Sequence, residues 1–292
     1  MSVSSRLIDR LFLLCRVARE VSPRKFYRKM RKNAIRRKRN GCYRFWICGV
    51  KTEQHVYCGM RYLTFVPKNV ETVKTILYLH GSAYMNEPRA AQVRFAAEIA
   101  RKTHAKVHFP IYPKLPDATA ISCFALLNNY FVFLKKKGEV LLIGDSSGGA
   151  LALSLAATRP EVGSVIAVSP WLSLAVGEEG RAVSTDVMLS TDMLDRIARL
   201  WARDLSFDDV RLSPIQGIFK GKSLFLLCGE MERFRPDILR FCKEQSERGA
   251  TVRYLEGVGQ QHCYPLMPTP EGSAARREII RALQRSLYGD RI

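Results

Sequence analysis

The sequence predicts an α/β fold built on a mostly parallel central sheet with helices on both faces. Three observations predict it. From Tyr43 onward, short β-rich runs alternate with longer helical patterns, and such alternation implies right-handed crossovers between parallel strands. Runs such as Ile76-Leu77-Tyr78-Leu79 and Leu141-Leu142-Ile143 are apolar throughout, as in strands covered on both sides. The rhythm breaks once, over residues 172–214, which read as an insertion above one end of the sheet.

The elements follow in order. Tyr43–Cys48 and Val56–Phe65 are expected as antiparallel opening strands, and Thr75–Leu79 as a buried strand. A helix from about Pro88 to Thr103 leads to a strand at Lys106–Ile111. Next come a helix near Ala118–Lys135, a strand at Glu139–Ile143 and a helix over Ser147–Ala157. Strand Ser164–Val168 ends at Ser169-Pro170, and the insertion carries a helical stretch at Asp192–Asp204. The alternation resumes with strand Ser223–Cys228, helix Pro236–Arg248, strand Thr251–Leu255 and a terminal helix Ser273–Ser286. The organisation is therefore an arm over residues 1–41, a core over 42–171 and 215–292, and an insertion over 172–214.

With 292 residues, 47% apolar and 25% charged, composition is globular and excludes disordered, collagen-like and disulfide-scaffold classes. No apolar run approaches the roughly 18–20 residues of a spanning helix. Leu11–Cys15, bracketed by Arg10 and Arg16, is too short for a signal-peptide core. The eight cysteines form no C-x-x-C pair, so they are expected as reduced, mostly buried thiols in a cytoplasmic protein. No metal or organic cofactor is expected, because neither a ligand cluster nor a phosphate-cradling loop occurs.

The net charge of +20 is unevenly spread. Residues 1–40 hold 14 basic and 2 acidic side chains, whereas the other 252 hold 33 and 25. Leu7, Ile8, Leu11, Phe12 and Cys15 recur at helical spacing, and a more polar basic stretch, Arg24 to Arg39, follows Ser22-Pro23. One reading docks this arm on the same protein, opposite the eight acidic and five basic residues of Leu172–Leu212. The others place it on an anionic membrane surface or, less favoured, against nucleic acid or another acidic partner.

Chemistry concentrates in Gly144-Asp145-Ser146-Ser147-Gly148-Gly149, where an apolar strand meets an Ala/Leu-rich helix. G-x-S-x-G at a strand-to-helix turn presents a serine hydroxyl above the sheet, and the small neighbours permit the sharp turn. The bland alternative is a glycine-rich turn that only caps a helix. A serine nucleophile needs a base, itself oriented by an acid. Of histidines 55, 80, 104, 108 and 262, only His262 follows Ser146, on a loop after a late strand. His104 and His108 flank a strand and read as structural. For the acid, Glu232, Asp237 and Glu230 compete in that order after strand Ser223–Cys228. Glu232 lies on the loop, while Asp237 sits in a first helical turn that favours a carboxylate anyway. Upstream, His80-Gly81-Ser82-Ala83 ends a strand in small residues whose amides can approach a substrate oxygen.

Together these motifs resemble the hormone-sensitive-lipase-like branch of the α/β-hydrolase superfamily, including its small bacterial acetyl-esterase-like members, over about residues 60–290. The family's H-G-G-G/A segment corresponds to His80-Gly81-Ser82-Ala83, and its G-D-S-A-G-G elbow to Gly144–Gly149. Further similar phrases are Tyr112-Pro113-Lys114-Leu115-Pro116, Ser169-Pro170-Trp171-Leu172, Leu212-Ser213-Pro214 and His262-Cys263-Tyr264-Pro265. The resemblance implies an α/β-hydrolase fold whose helical cap unites the arm with residues 172–214. It also implies a Ser146–Glu232–His262 triad and an oxyanion hole at Gly81, Ser82, Ala83 and Ser147. Ser82 stands where the family has its second glycine, and Ser147 where it has alanine. The expected activity is hydrolysis of short-chain acyl esters of small molecules through an acyl-enzyme. The alternatives are a non-catalytic ligand-binding or scaffolding protein, and a hydrolase of amides or lactones.

Overall fold

The computed structural model describes residues 1–14, 22–39 and 49–289. The expected strand at Tyr43–Cys48 lies outside them, as do Cys15, Cys42 and Cys48. Eight described strands form one sheet: β1 (Val50–Tyr57), β2 (Met60–Pro67), β3 (Thr75–Leu79), β4 (Lys106–Pro110), β5 (Val140–Asp145), β6 (Ser164–Val168), β7 (Ser223–Gly229) and β8 (Thr251–Gly257). Their order is β1-β2-β4-β3-β5-β6-β7-β8. β1–β2 and β2–β4 pair antiparallel, and β4 through β8 pair parallel.

The expected single strand Val56–Phe65 is a hairpin. Tyr57 pairs with Met60, and Cys58 (φ 46°) and Gly59 (φ 80°) make a two-residue turn. Positive φ at both central positions suits the right-handed twist of a hairpin. Cysteine is an uncommon occupant of such a position, so the turn carries little sequence signal.

The helices are α1 (Val3–Leu14), α2 (Pro23–Arg39), α3 (Ala90–Thr103), α4 (Ala120–Lys135), α5 (Ser147–Thr158), α6 (Glu178–Ala182), α7 (Thr191–Ala202), α8 (Arg235–Glu247) and α9 (Pro270–Tyr288). The apolar strands have two destinations. Leu77, Leu79, Val140 and Leu142 face one layer with α4 residues Leu127 and Phe131 and α5 residues Leu151 and Leu155. Ile76, Tyr78, Leu141 and Ile143 face the other, with Phe95 and Ile99 of α3 and Ile279 and Leu283 of α9. Period-2 geometry thus splits each continuous apolar run between two cores.

This packing places the C-terminal ends of β3, β5, β7 and β8 along one edge, where open α/β sheets collect their functional loops. Between β6 and β7, the 172–214 segment contributes α6, α7 and the short turn Pro214–Gln216. No described helix is long and apolar enough to cross a membrane.

Candidate active site

Ser146 links β5 to α5 with φ 52° and ψ −124°, a conformation costly for a residue with a Cβ. The fold holds it there: the Ser146 amide donates to Val168 O (2.8 Å), and Ser146 O accepts from the Trp171 amide (3.2 Å). The glycines are required by close approach. A Cβ at Gly148 would strike the Leu79 carbonyl, and one at Gly144 the Gly148 carbonyl. Ser146 therefore stands at the N-terminus of α5, whose dipole favours negative charge nearby.

β8 delivers His262 and β7 delivers Glu232. His262 Nε2 lies 3.0 Å from Ser146 Oγ, and Nδ1 lies 3.2 Å from Glu232 Oε2. Both are buried, His262 at 5% exposure and Glu232 at 0%, so His262 is no exposed loop histidine. With its proton on Nδ1 facing the carboxylate, the imidazole accepts the Ser146 hydroxyl at Nε2. The Cys263 amide donates to Ser169 Oγ (2.9 Å) and fixes the start of the next turn. Burial opposes the imidazolium, but the adjoining Cys263 sulfur and the Glu232 carboxylate outweigh it, holding His262 well above the ordinary histidine value.

The competing carboxylates are engaged elsewhere. Asp237 accepts from Arg240 Nη2 (2.7 Å) within α8, and Glu230 Oε2 accepts from the Gly259 amide (2.7 Å). His108 meets Tyr130 OH at 2.8 Å, and half-buried His104 pairs with Glu71, both away from Ser146.

The loop after β3 departs from expectation at one donor. The Ser82 amide, expected to face an oxyanion, donates to Ser147 Oγ (3.0 Å). Ser82 Oγ meets Tyr112 OH at 3.1 Å, and Tyr112 OH donates to His80 O (2.6 Å). The two serines that replace small family residues therefore bond within the loop's own network. Ala83 (φ 48°) and Tyr84 (φ 52°) continue the loop in left-handed conformations. His80 stacks on Tyr112 (4.6 Å between centroids), and burial with the Lys114 charge depresses its basicity, so the ring stays neutral.

Sequence reasoning gave no role to two groups beneath the site. Gln92 Nε2 donates to Asp145 Oδ2 (2.7 Å) and Gly81 O (2.8 Å), tying α3 to the residue before the serine. Burial raises the Asp145 carboxyl, and the Gln92 amide, the Gly81 amide and the Tyr78 hydroxyl offset part of that rise. Also unread was an aromatic wall: Tyr84 stacks on Trp201 (4.4 Å) and Trp171 (5.6 Å), Trp171 on Phe234 (5.7 Å), and Phe234 meets the His262 ring edge-on (5.4 Å). A serine hydroxyl, an imidazole and a carboxylate in a hydrogen-bonded row can perform nucleophilic acyl transfer.

Residues 76–266 match the alpha/beta hydrolase fold family. The chain belongs to that family. Among similar proteins, the triacylglycerol lipase of Mycobacterium tuberculosis is 25% identical over 247 residues, 81% of this chain and 52% of the relative. Esterase LipU of that organism is 29% identical over 154 residues, 49% of this chain and 52% of LipU. The chain thus spans about half the length of these two relatives. A Staphylococcus aureus structure provisionally described as an esterase has a TM-score of 0.86 at 23% identity, covering 93% of this chain and 96% of its own. An esterase from the bacterial hormone-sensitive lipase family has a TM-score of 0.79 at 17% identity, covering 97% and 99%. These structures share the fold, with the α/β-hydrolase architecture that the motifs imply.

Proposed function

We propose that this alpha/beta hydrolase is a carboxylester hydrolase acting on short-chain acyl esters of small molecules. The observation that carries the reading is the unbroken row from Ser146 Oγ through His262 to Glu232, with contacts of 3.0 and 3.2 Å. Ser146 Oγ attacks the ester carbonyl while His262 Nε2 takes its proton. The tetrahedral oxyanion lies beside the Ala83 and Ser147 amides, where the α5 dipole adds to their effect. The intermediate collapses to an acyl-enzyme, and His262 returns the proton to the departing alcohol. Water, deprotonated by His262, then attacks the acyl carbonyl and releases the acid and Ser146. Glu232 holds the Nδ1 proton and stabilises the imidazolium in both halves.

The tight stack of Tyr84, Trp171, Trp201 and Phe234 supports the short acyl preference, because these rings fill space beside the nucleophile. The 172–214 segment is proposed as the cap, since Trp201 enters that wall from α7. Free Cys58, Cys123, Cys228, Cys242 and Cys263 support a reducing, cytoplasmic setting.

A fluorophosphonate probe and p-nitrophenyl esters of increasing acyl length test the proposal. Expected are covalent labelling at Ser146 and fastest turnover on the shortest esters. Ser146→Ala is expected to abolish labelling and lower turnover by roughly 10³-fold or more with the fold intact. A second reading, a ligand-binding member without turnover, draws on the Ser82 amide already taken by Ser147 Oγ. Absence of labelling with intact ligand binding would favour it.

A further inference from the structure

The first two helices expose what proteins ordinarily cover. On α1, Ser5 is buried at 4% exposure, whereas Leu7 and Leu11 are 66% and 54% exposed and Val3 is 83% exposed. These three apolar residues follow one another at four-residue spacing and form one ridge, with Arg6 and Arg10 exposed beside it. The expectation that this stripe packs on the protein therefore fails for Leu7 and Leu11, while Ile8 and Phe12 are half-buried. α2 carries no acidic residue. Its Lys25, Arg28, Lys29, Lys32 and Arg36 line a shallow depression with Asn33, so no carboxylate in that lining neutralises the cations.

Both helices are anchored beside the candidate active site. Ser2 Oγ and Ser5 Oγ donate to Glu271 Oε2 (2.8 and 3.0 Å), and Ser5 Oγ also reaches Gln260 Oε1 (3.1 Å), two residues before His262. On α2, Phe26 is buried, and Asn33 Nδ2 donates to Asn86 Oδ1 (3.0 Å), just beyond the loop that follows β3. The polar side of α1 is thus spent on the protein and its apolar ridge is left outward.

We propose that α1 and α2 form a docking surface for an anionic phospholipid membrane. The α2 depression receives headgroup phosphates, and the Val3-Leu7-Leu11 ridge enters the boundary between headgroups and acyl chains. Charge complementarity selects the partner: a polybasic helix without carboxylates and an exposed apolar ridge on the helix before it match the two layers of an anionic interface. Nucleic acid would use the cations and leave the ridge wet. The inference goes beyond the reaction assigned to Ser146 and is tested without it.

The experiment is co-sedimentation of the full chain with vesicles of phosphatidylcholine alone or mixed with phosphatidylglycerol. Binding is expected on the mixed vesicles only and is expected to fall as salt rises. Each cation near such a surface contributes about fivefold, so Lys25→Glu/Lys29→Glu/Lys32→Glu is expected to lower partitioning by about 10²-fold or more. Leu7→Ser/Leu11→Ser is expected to lower it by about tenfold or more while salt sensitivity persists. All five positions are exposed, so thermal melting of both variants should match the unaltered chain. Equal binding to both vesicle types, or unchanged binding by either variant, would overturn the proposal. Binding of duplex DNA without vesicle binding would overturn it in favour of nucleic acid.

Discussion

At the scale of single residues, the carboxylates ranked first and second for the acid, Glu232 and Asp237, have different environments. Glu232→Gln is expected to cost about 10³-fold or more in ester turnover, since the amide cannot stabilise the imidazolium. Asp237→Asn only breaks a helix-surface pair with Arg240 and is expected to leave turnover near the starting value. The base must be neutral to accept the serine proton, and the structure holds His262 well above the ordinary histidine value of 6.5. Turnover is therefore expected to rise with pH along a limb above that value, and a kcat/KM profile of any residual Glu232→Gln activity should show the limb moved down. Ser147→Ala removes the oxygen that occupies the Ser82 amide, freeing a donor for the oxyanion. A several-fold gain in kcat is expected, well below the roughly 10²-fold worth of a whole donor. A loss would assign the Ser147 hydroxyl to bracing the loop instead. That Ser146, His262 and Glu232 come together was readable because each follows closely on the end of a recognisable strand. The Ser82–Ser147 bond was not, because residues 65 positions apart show no partnership in a single sequence.

At the scale of elements, the 172–214 segment clamps the loops that carry Glu232 and His262. Asp186 accepts the amides of Met188 (2.7 Å), Leu189 (2.9 Å) and Arg233 (2.9 Å), the last directly after Glu232. Arg233 Nη1 returns to Gly180 O (2.8 Å), and Gln261 Nε2 donates to Thr185 O (3.0 Å) beside His262. Asp186→Ala strands the buried Arg233 amide and two part-buried ones, which costs roughly 2–4 kcal/mol. A drop in Tm of about 4–10 °C with reduced turnover is expected by calorimetry and ester assay. Parallel strands and their crossover helices were legible because their apolar runs are continuous. α6 was not, being five residues long with two acidic ones and no apolar period. α9 begins earlier than expected because Thr269 Oγ1 caps it by accepting the Gly272 amide (3.0 Å) and Pro270 fits its first position.

Across the whole molecule, the basic arm is joined to the fold in two unequal ways. α1 is held by side-chain hydrogen bonds to Glu271 and Gln260 on the base side of the site. α2 contributes Phe26, buried at 1% exposure in the same apolar cluster as Tyr84, Trp171 and Trp201. The sequence assigned a dense positive charge to this region but could not apportion its apolar residues between core and surface, since Leu7 and Phe26 both lie among basic residues at helical spacing. Their burial separates the consequences of two truncations. Deleting residues 1–21 removes the exposed ridge and a few hydrogen bonds, and Tm is expected to fall by only a few degrees, about 1 kcal/mol in stability. Deleting residues 1–39 also withdraws the Phe26 ring, whose loss from a core costs about 3–5 kcal/mol, and uncovers its apolar neighbours. Tm is then expected to fall by roughly 6 °C or more, with a rise in binding of an apolar dye. Phe26→Ala within the full chain isolates the ring from the charge and is expected to reproduce most of that loss. Equal melting of both truncations would mean that α2 contributes nothing to the core, and would leave its attachment to the Asn33–Asn86 contact alone.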